Sequence, residues 1–114
     1  MRKMVRSACP VAATVDVIAG KWKPLILYGL KTGPQRFGAL MRGIEGSTHK
    51  VLTEQLRQLE QQGIVQRRVD EKEPVLKVEY SLSSYGETLR PILNLMCDWG
   101  VVHISRSKRS LRAV

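Results

Sequence analysis

Thr48-His49-Lys50-Val51-Leu52-Thr53-Glu54-Gln55-Leu56-Arg57-Gln58-Leu59-Glu60-Gln61-Gln62-Gly63 is the stretch on which the reading of the whole chain turns. Leu52, Leu56 and Leu59 recur at helical spacing and form one apolar face. Thr48 is placed to cap the helix, and Gly63 closes it. Directly after it the hydrophobic period changes from 3.6 to 2. Val65-Gln66-Arg67-Arg68-Val69 and Leu76-Lys77-Val78-Glu79-Tyr80-Ser81-Leu82 read as the strands of a hairpin, with Asp70 to Pro74 as its loop. Val78, Tyr80 and Leu82 share one face of that hairpin and can cover the helices.

Upstream, Pro10 opens a helix whose Val11, Val15 and Ile18 are spaced for a core face and which ends at Gly20. A second short helix starts near Pro24, carries Leu25 to Leu30, and is stopped by Thr32-Gly33-Pro34. Gln35-Arg36 reads as an extended link. Phe37, Leu40, Met41 and Ile44 make a third helix, bracketed by Gly43 and Gly46. Downstream, Ser84-Tyr85-Gly86-Glu87 reads as a capping box opening a last helix. Pro91 falls inside that helix and should kink it. The order of four helices, a β-hairpin and a final helix predicts a mainly α fold with a β-hairpin wing, a winged helix-turn-helix.

On a helical wheel Tyr85, Leu89, Ile92, Met96 and Trp99 line one side of the last helix. Leu93, Cys97, Val101 and Ile104 lie beside them. This apolar arc covers more than half of the circumference, where a single core requires a stripe of about 100°. The excess predicts a partner subunit, with those five residues at a two-fold dimer interface.

The 114 residues with 43% hydrophobic content predict one domain and a modest core. Its expected limits are 9–105, between a basic arm at 1–8 and a basic, disordered tail at 106–114. No run is long and apolar enough for a membrane span or a signal core, so a cytoplasmic protein is expected. The net charge of +9 favours a polyanionic partner. Part of that charge sits in the tail, on Arg106, Lys108, Arg109 and Arg112.

Enzyme chemistry has little support. The sequence contains no CxxC, HExxH, Gly-rich phosphate loop or GxSxG, and neither cysteine has a base or orienting partner nearby. Cys9, Cys97, His49 and His103 lack metal-ligand spacing, so neither a metal nor a cofactor is expected. Trp22 and Trp99 read as core or interface anchors, and Tyr28 and Tyr80 show no pattern for stacking single-stranded bases.

On the helix that decides the fold, Lys50, Thr53, Glu54, Arg57 and Gln61 point away from the leucine face. Only the first turns of such a helix reach into a major groove, which selects His49, Lys50 and Thr53 as base readers beside the capping Thr48. Arg57, one turn further, would meet phosphate. Arg36, Arg42, Arg67, Arg68 and Lys77 are further phosphate candidates, and Arg36 and Lys77 are preferred because they flank the turn and the wing. The competing reading is a solvated charged surface. Cys9 precedes the first helix, whose dipole and free N–H groups favour thiolate, and Arg6 adds positive charge. The competing reading for Cys9 is packing in the dimer seam, and Cys97 reads as core.

Several stretches together resemble the HxlR-type regulators: Cys9-Pro10, Gly20-Lys21-Trp22, Gly33-Pro34-Gln35-Arg36-Phe37, Lys50-Val51-Leu52, Leu56-Arg57-Gln58-Leu59-Glu60, Gly63-Ile64-Val65-Gln66-Arg67-Arg68, Val78-Glu79-Tyr80-Ser81-Leu82 with Gly86, and Asp98-Trp99-Gly100. The resemblance covers about residues 9–103. It implies a homodimeric, sequence-specific regulator of transcription that binds double-stranded DNA at an inverted repeat. Helices from both ends of the chain would form the dimer, and the cysteine matching Cys9 would sense oxidants or electrophiles, as in several members. The alternatives are a regulator gated by a small-molecule inducer, with incidental cysteines, and an RNA-binding winged-helix protein. The chain departs from the family pattern at Ser47, usually apolar, and at Thr48-His49-Lys50, commonly Ser-Gln-Arg or Ser-Gln-Lys. Its wing tip, Asp70-Glu71-Lys72-Glu73, is acidic. Spacing leaves open whether Cys9 and Cys97 pair between subunits.

Overall fold

The computed structural model describes residues 5–72 and 77–112, with side chains as far as Lys108. Residues 73 and 74 of the expected hairpin loop, the expected strand start at 76, and residues 1–4 and 113–114 of the two expected tails lie outside the described residues.

The elements are α1 (Pro10–Ile18), α2 (Lys23–Leu30), β1 (Gln35–Arg36), α3 (Phe37–Gly43), α4 (His49–Gln61), β2 (Val65–Asp70), β3 (Lys77–Leu82) and α5 (Arg90–Arg112). Short 3-10 turns precede α1 at Arg6–Ala8 and α5 at Gly86–Leu89. This is the expected winged helix-turn-helix, mainly helical with a small antiparallel sheet.

The leucine face of α4 packs as its spacing requires. Leu52, Leu56 and Leu59 are each exposed by 1% or less, against Ile26, Leu27 and Leu30 of α2, and Leu40 and Ile44 at α3. Burying a side chain of this size is worth about 1.5–3 kcal/mol over leaving it in water. Thr48 has extended backbone angles, and its Oγ1 accepts the Val51 N–H at 3.2 Å, the expected cap. At the other end Gly63 takes the left-handed region at φ +76°. The Gly63 and Ile64 N–H groups then donate to the Glu60 and Leu59 carbonyls, both at 2.9 Å, so the helix ends in one residue and the chain enters β2.

Gln35-Arg36 is more than a link. It pairs as a third, edge strand, in the order β1-β3-β2, with Gln35 opposite Tyr80 and Arg36 opposite Glu79. The inner face buries Val65, Tyr80 and Leu82, with Val78 packed against the core at its margin.

The first and last helices correct several expectations. In α1 only Ile18 is buried; Val11 and Val15 are exposed, and Val17 is half-buried against the core. The cap of the last helical segment is Ser83, not Ser84. Its Oγ accepts the Gly86 N–H at 2.9 Å and donates to the Gly63 carbonyl, while Glu87 turns forward to Arg90. Pro91 does not kink a helix interior, since it lies in the first turn of α5, where its missing N–H costs nothing. Leu89, four residues before Leu93 and on the same side, belongs with it to the chain's own core, not to an exposed seam. Helix α5 also runs on to Arg112, so Arg106 and Lys108 stand on a helix rather than in a disordered tail.

Beyond Leu93, α5 leaves the core. Leu95, Met96, Trp99, Val101, Val102 and Ile104 are all exposed, Leu95 and Trp99 by about 70%. Among the described residues no helix is long and apolar enough to cross a membrane.

Candidate nucleic-acid interface

The exposed side of α4 and the two faces of the sheet carry most of the candidate residues. α4 stands against the inner face of the sheet. Past the buried Tyr80, a groove between them is lined by Phe37, His49, Thr53, Arg57, Arg67 and Val78, with the carboxylate residue Glu60 among them. His49 is the first residue of α4, and its ring lies 4.8 Å from that of Phe37 at the start of α3. This contact fixes the imidazole near the exposed N-terminal turn. Lys50 is exposed beside it and lines neither this groove nor the one on the outer face.

Thr53 is less free than its position suggests. Its Oγ1 donates to the His49 carbonyl at 2.7 Å, leaving the methyl group and oxygen lone pairs to meet a ligand. Ser47, where the family usually carries an apolar residue, is half-buried, and its Oγ donates to the Ile44 carbonyl at 2.9 Å. It braces the turn between α3 and α4 from within the chain.

The outer face of the sheet gathers a second set. Arg36 of β1 and Lys77 of β3 line one groove with Arg68, Lys72, Asp70 and Glu79. The preferred phosphate candidates Arg36 and Lys77 therefore meet at one place, and Arg68 belongs with them. Only the register could show this, since Arg36 and Arg68 both stand opposite Glu79. Arg67 points to the opposite face, beside Arg57. Arg42 lies on α3, exposed and outside both grooves.

Cys9 occupies the residue before α1, half-buried, with no hydrogen bond from its side chain to the helix end. The positive charge expected from Arg6 is not free to act on it, because the Arg6 guanidinium pairs with the Asp16 carboxylate. Cys97 is half-buried beside Ile18, Pro24, Tyr28, Leu93 and Met96. Of the expected dimer residues Tyr85, Ile92, Met96 and Trp99 are exposed, and Trp99 stacks on His103 with centroids 4.9 Å apart.

Arg90 ties α5 to the body. Its Nη1 donates to the Lys31 carbonyl beyond α2 at 2.6 Å, and its Nε donates to the Glu87 carboxylate at 2.6 Å. The hydrogen bonds from Arg90, reinforced by its charge, hold the Glu87 carboxyl below the ordinary value of 4.5 despite some desolvation.

The family described as HxlR-like helix-turn-helix matches residues 17–108. The HTH-type transcriptional regulator YtcD of Bacillus subtilis is 48% identical over 96 residues, covering 84% of this chain and 75% of that protein. The redox regulator HypR in its reduced form superposes with a TM-score of 0.81 at 42% identity, covering 89% of this chain and 99% of that one. Diamide-treated YodB from B. subtilis superposes with a TM-score of 0.68 at 34% identity, covering 80% of this chain and 90% of that one. These proteins are named as regulators, not as enzymes.

Proposed function

The chain belongs to the HxlR-like helix-turn-helix family, and from that premise we propose that it is a homodimeric regulator that binds double-stranded DNA in a sequence-specific way. The observation that carries this reading is the combination at α4. A capped, exposed N-terminal turn presents His49 and Lys50, with Arg57 two turns behind and Arg36, Arg68 and Lys77 beside the wing. His49, Lys50 and the Thr53 methyl read base edges in the major groove. Arg57, Arg36 and Lys77 meet backbone phosphate, which positions the domain without specifying sequence. The acidic wing tip makes no phosphate contact in this reading.

The dimer rests on α5. A monomer would leave Leu95, Met96, Trp99, Val101, Val102 and Ile104 in water together with Val11 and Val15 of α1. A second copy covers them through the same surface on both subunits. Two recognition helices related by a two-fold then require an inverted repeat with half-site centres about one helical turn, or a multiple, apart.

The test is selection of bound fragments from random duplex DNA, followed by two variants. Lys50→Ala should weaken operator binding by about 1–3 kcal/mol and relax one consensus position. Lys77→Ala should weaken all duplexes alike and flatten the salt dependence. Equal retention of structured RNA, or no change of sequence preference with Lys50→Ala, would overturn the reading.

A second element of the proposal is redox response through Cys9. Its place at the N-terminus of α1, and the redox regulator HypR and diamide-treated YodB among the structural neighbours, support it. Oxidation or alkylation there alters the seating of α1 and so the spacing of the two recognition helices. Diamide should reversibly change operator binding of the unaltered protein and of Cys97→Ser, and leave Cys9→Ser unaffected. If Cys9→Ser responds fully, a small-molecule inducer with incidental cysteines becomes the better account.

A further inference from the structure

The outer face of the sheet carries a charge that the DNA-binding proposal does not use. Glu79, half-buried in the central strand, stands between Arg36 on one neighbouring strand and Arg68 on the other, directly opposite both. Directly paired side chains on adjacent strands have Cβ atoms about 4.5–5.5 Å apart. The three therefore form a row across the sheet, with the carboxylate in the middle. Lys77 lies next along β3 on the same face, opposite Asp70, and Lys72 joins the groove from the hairpin end. At the other end of the row the Gln66 side chain donates to Ser81 at 3.1 Å across the same strand pair.

The carboxylate does not consume either arginine. Among the described residues the ion pairs are Arg6–Asp16 and Arg90–Glu87, so both guanidinium groups of the row keep their donors available. A guanidinium offers a planar fork that fits phosphate oxygens in pairs, and two forks flanking one point make a seat for a single phosphodiester. The Glu79 charge then acts through space in two opposed ways. It draws both arginines over the sheet, and it repels the phosphate they would hold. With the donors left free and the strands fixing both arginine backbones, the repulsion is the larger effect.

We propose that Arg36 and Arg68 form a seat for one backbone phosphodiester and that Glu79, between them, is an electrostatic brake on its affinity. The proposal rests on the DNA-binding reading and adds to it the joint seat of Arg36 with Arg68 and the role of Glu79. The brake weakens binding to any duplex, operator or not, and so limits retention on bulk DNA.

The experiment compares Glu79→Gln, Arg68→Ala and Asp98→Asn. The last removes the same formal charge from α5, away from the sheet. At low salt Glu79→Gln should bind every duplex about threefold to tenfold more tightly, the range for one charge roughly 7 Å away across a half-solvated surface. Its salt dependence should steepen by about one counterion. Arg68→Ala should weaken every duplex, and Asp98→Asn should match the unaltered chain. Elution from immobilised heparin gives a readout without DNA, on which Glu79→Gln should leave at higher salt than Asp98→Asn. Weaker binding by Glu79→Gln, equal behaviour of Glu79→Gln and Asp98→Asn, or an unchanged Arg68→Ala would each overturn the brake and its seat. If no variant retains duplex DNA while the heparin order holds, the anion seat stands and the DNA reading fails.

Discussion

Helices α4 and α5 both carry apolar stripes, yet one is completed by its own chain and the other is not. In α4, Leu52, Leu56 and Leu59 are sealed by α2 and α3, and the opposite side is polar. In α5, Leu93 closes the core, and the turns after it expose apolar side chains on several sides. Water-facing apolar area of that extent is unfavourable at about 25 cal/mol per Å². The contrast separates two regions: the apolar face of α4 is sealed within the chain, while the apolar side chains of distal α5 are left uncovered by it and are the ones the proposed dimer would bury.

Four measurements can break or sharpen that contrast. The largest effect belongs to Leu56→Ala, which should cost about 2–5 kcal/mol by opening a cavity in a sealed core. Urea unfolding should register the loss at low and high protein concentration alike. Trp99→Ala should instead act on the proposed association, weakening it by about 2 kcal/mol or more, as loss of an aromatic interface anchor does. Sedimentation equilibrium would measure it, and an unchanged oligomeric state would show that α5 is completed by something other than a second copy.

Gly86→Ala probes the joint between the two regions. A Cβ there would stand 2.0 Å from the Ile64 carbonyl oxygen, so the turn must move away from β2. The expected loss is about 1–3 kcal/mol, read in thermal unfolding. A neutral result would mean that the start of α5 is not seated on the sheet.

The smallest effect is electrostatic and lies at the same joint. The Glu87 carboxyl is held below its ordinary 4.5 by Arg90, so the folded state binds its proton less readily than the unfolded chain. The pair's stabilisation is therefore present above that ordinary value and fades as pH falls through the folded one. Both groups face solvent, so the contribution is slight. Glu87→Gln should flatten the stability–pH profile in the acid range, with its slight loss of stability present at neutral pH and absent below the folded value.

Much of α4 and the wing was legible in the sequence because both follow local rules. A leucine period of three and four residues, a threonine with a free hydroxyl before it and a glycine after it define a helix without reference to the rest of the chain. The alternation Val78, Tyr80, Leu82 likewise defines which side of β3 is inward. The base-reading candidates followed from those two facts, since a helix with one face buried has little choice about the other.

What the sequence left open depended on partners distant along the chain. Nothing local in Gln35-Arg36 says that it will pair with β3, and only that pairing sets Arg36 beside Glu79 and, through it, Arg68. The Arg6 charge looked available to Cys9 until the turn of α1 brought Asp16 to it. Leu89 looked like an interface residue because it lies on one wide apolar arc with Leu93 and Ile92, and only packing shows where on that arc the chain's own core ends. By itself the sequence determined the order of elements, the sealed face of α4 and the excess apolar surface of α5, because periodicity and capping are properties of neighbouring residues. Tertiary structure decided which charges share a face, which cap is used and where the core ends, because strand register and helix phase are fixed only when distant segments pack.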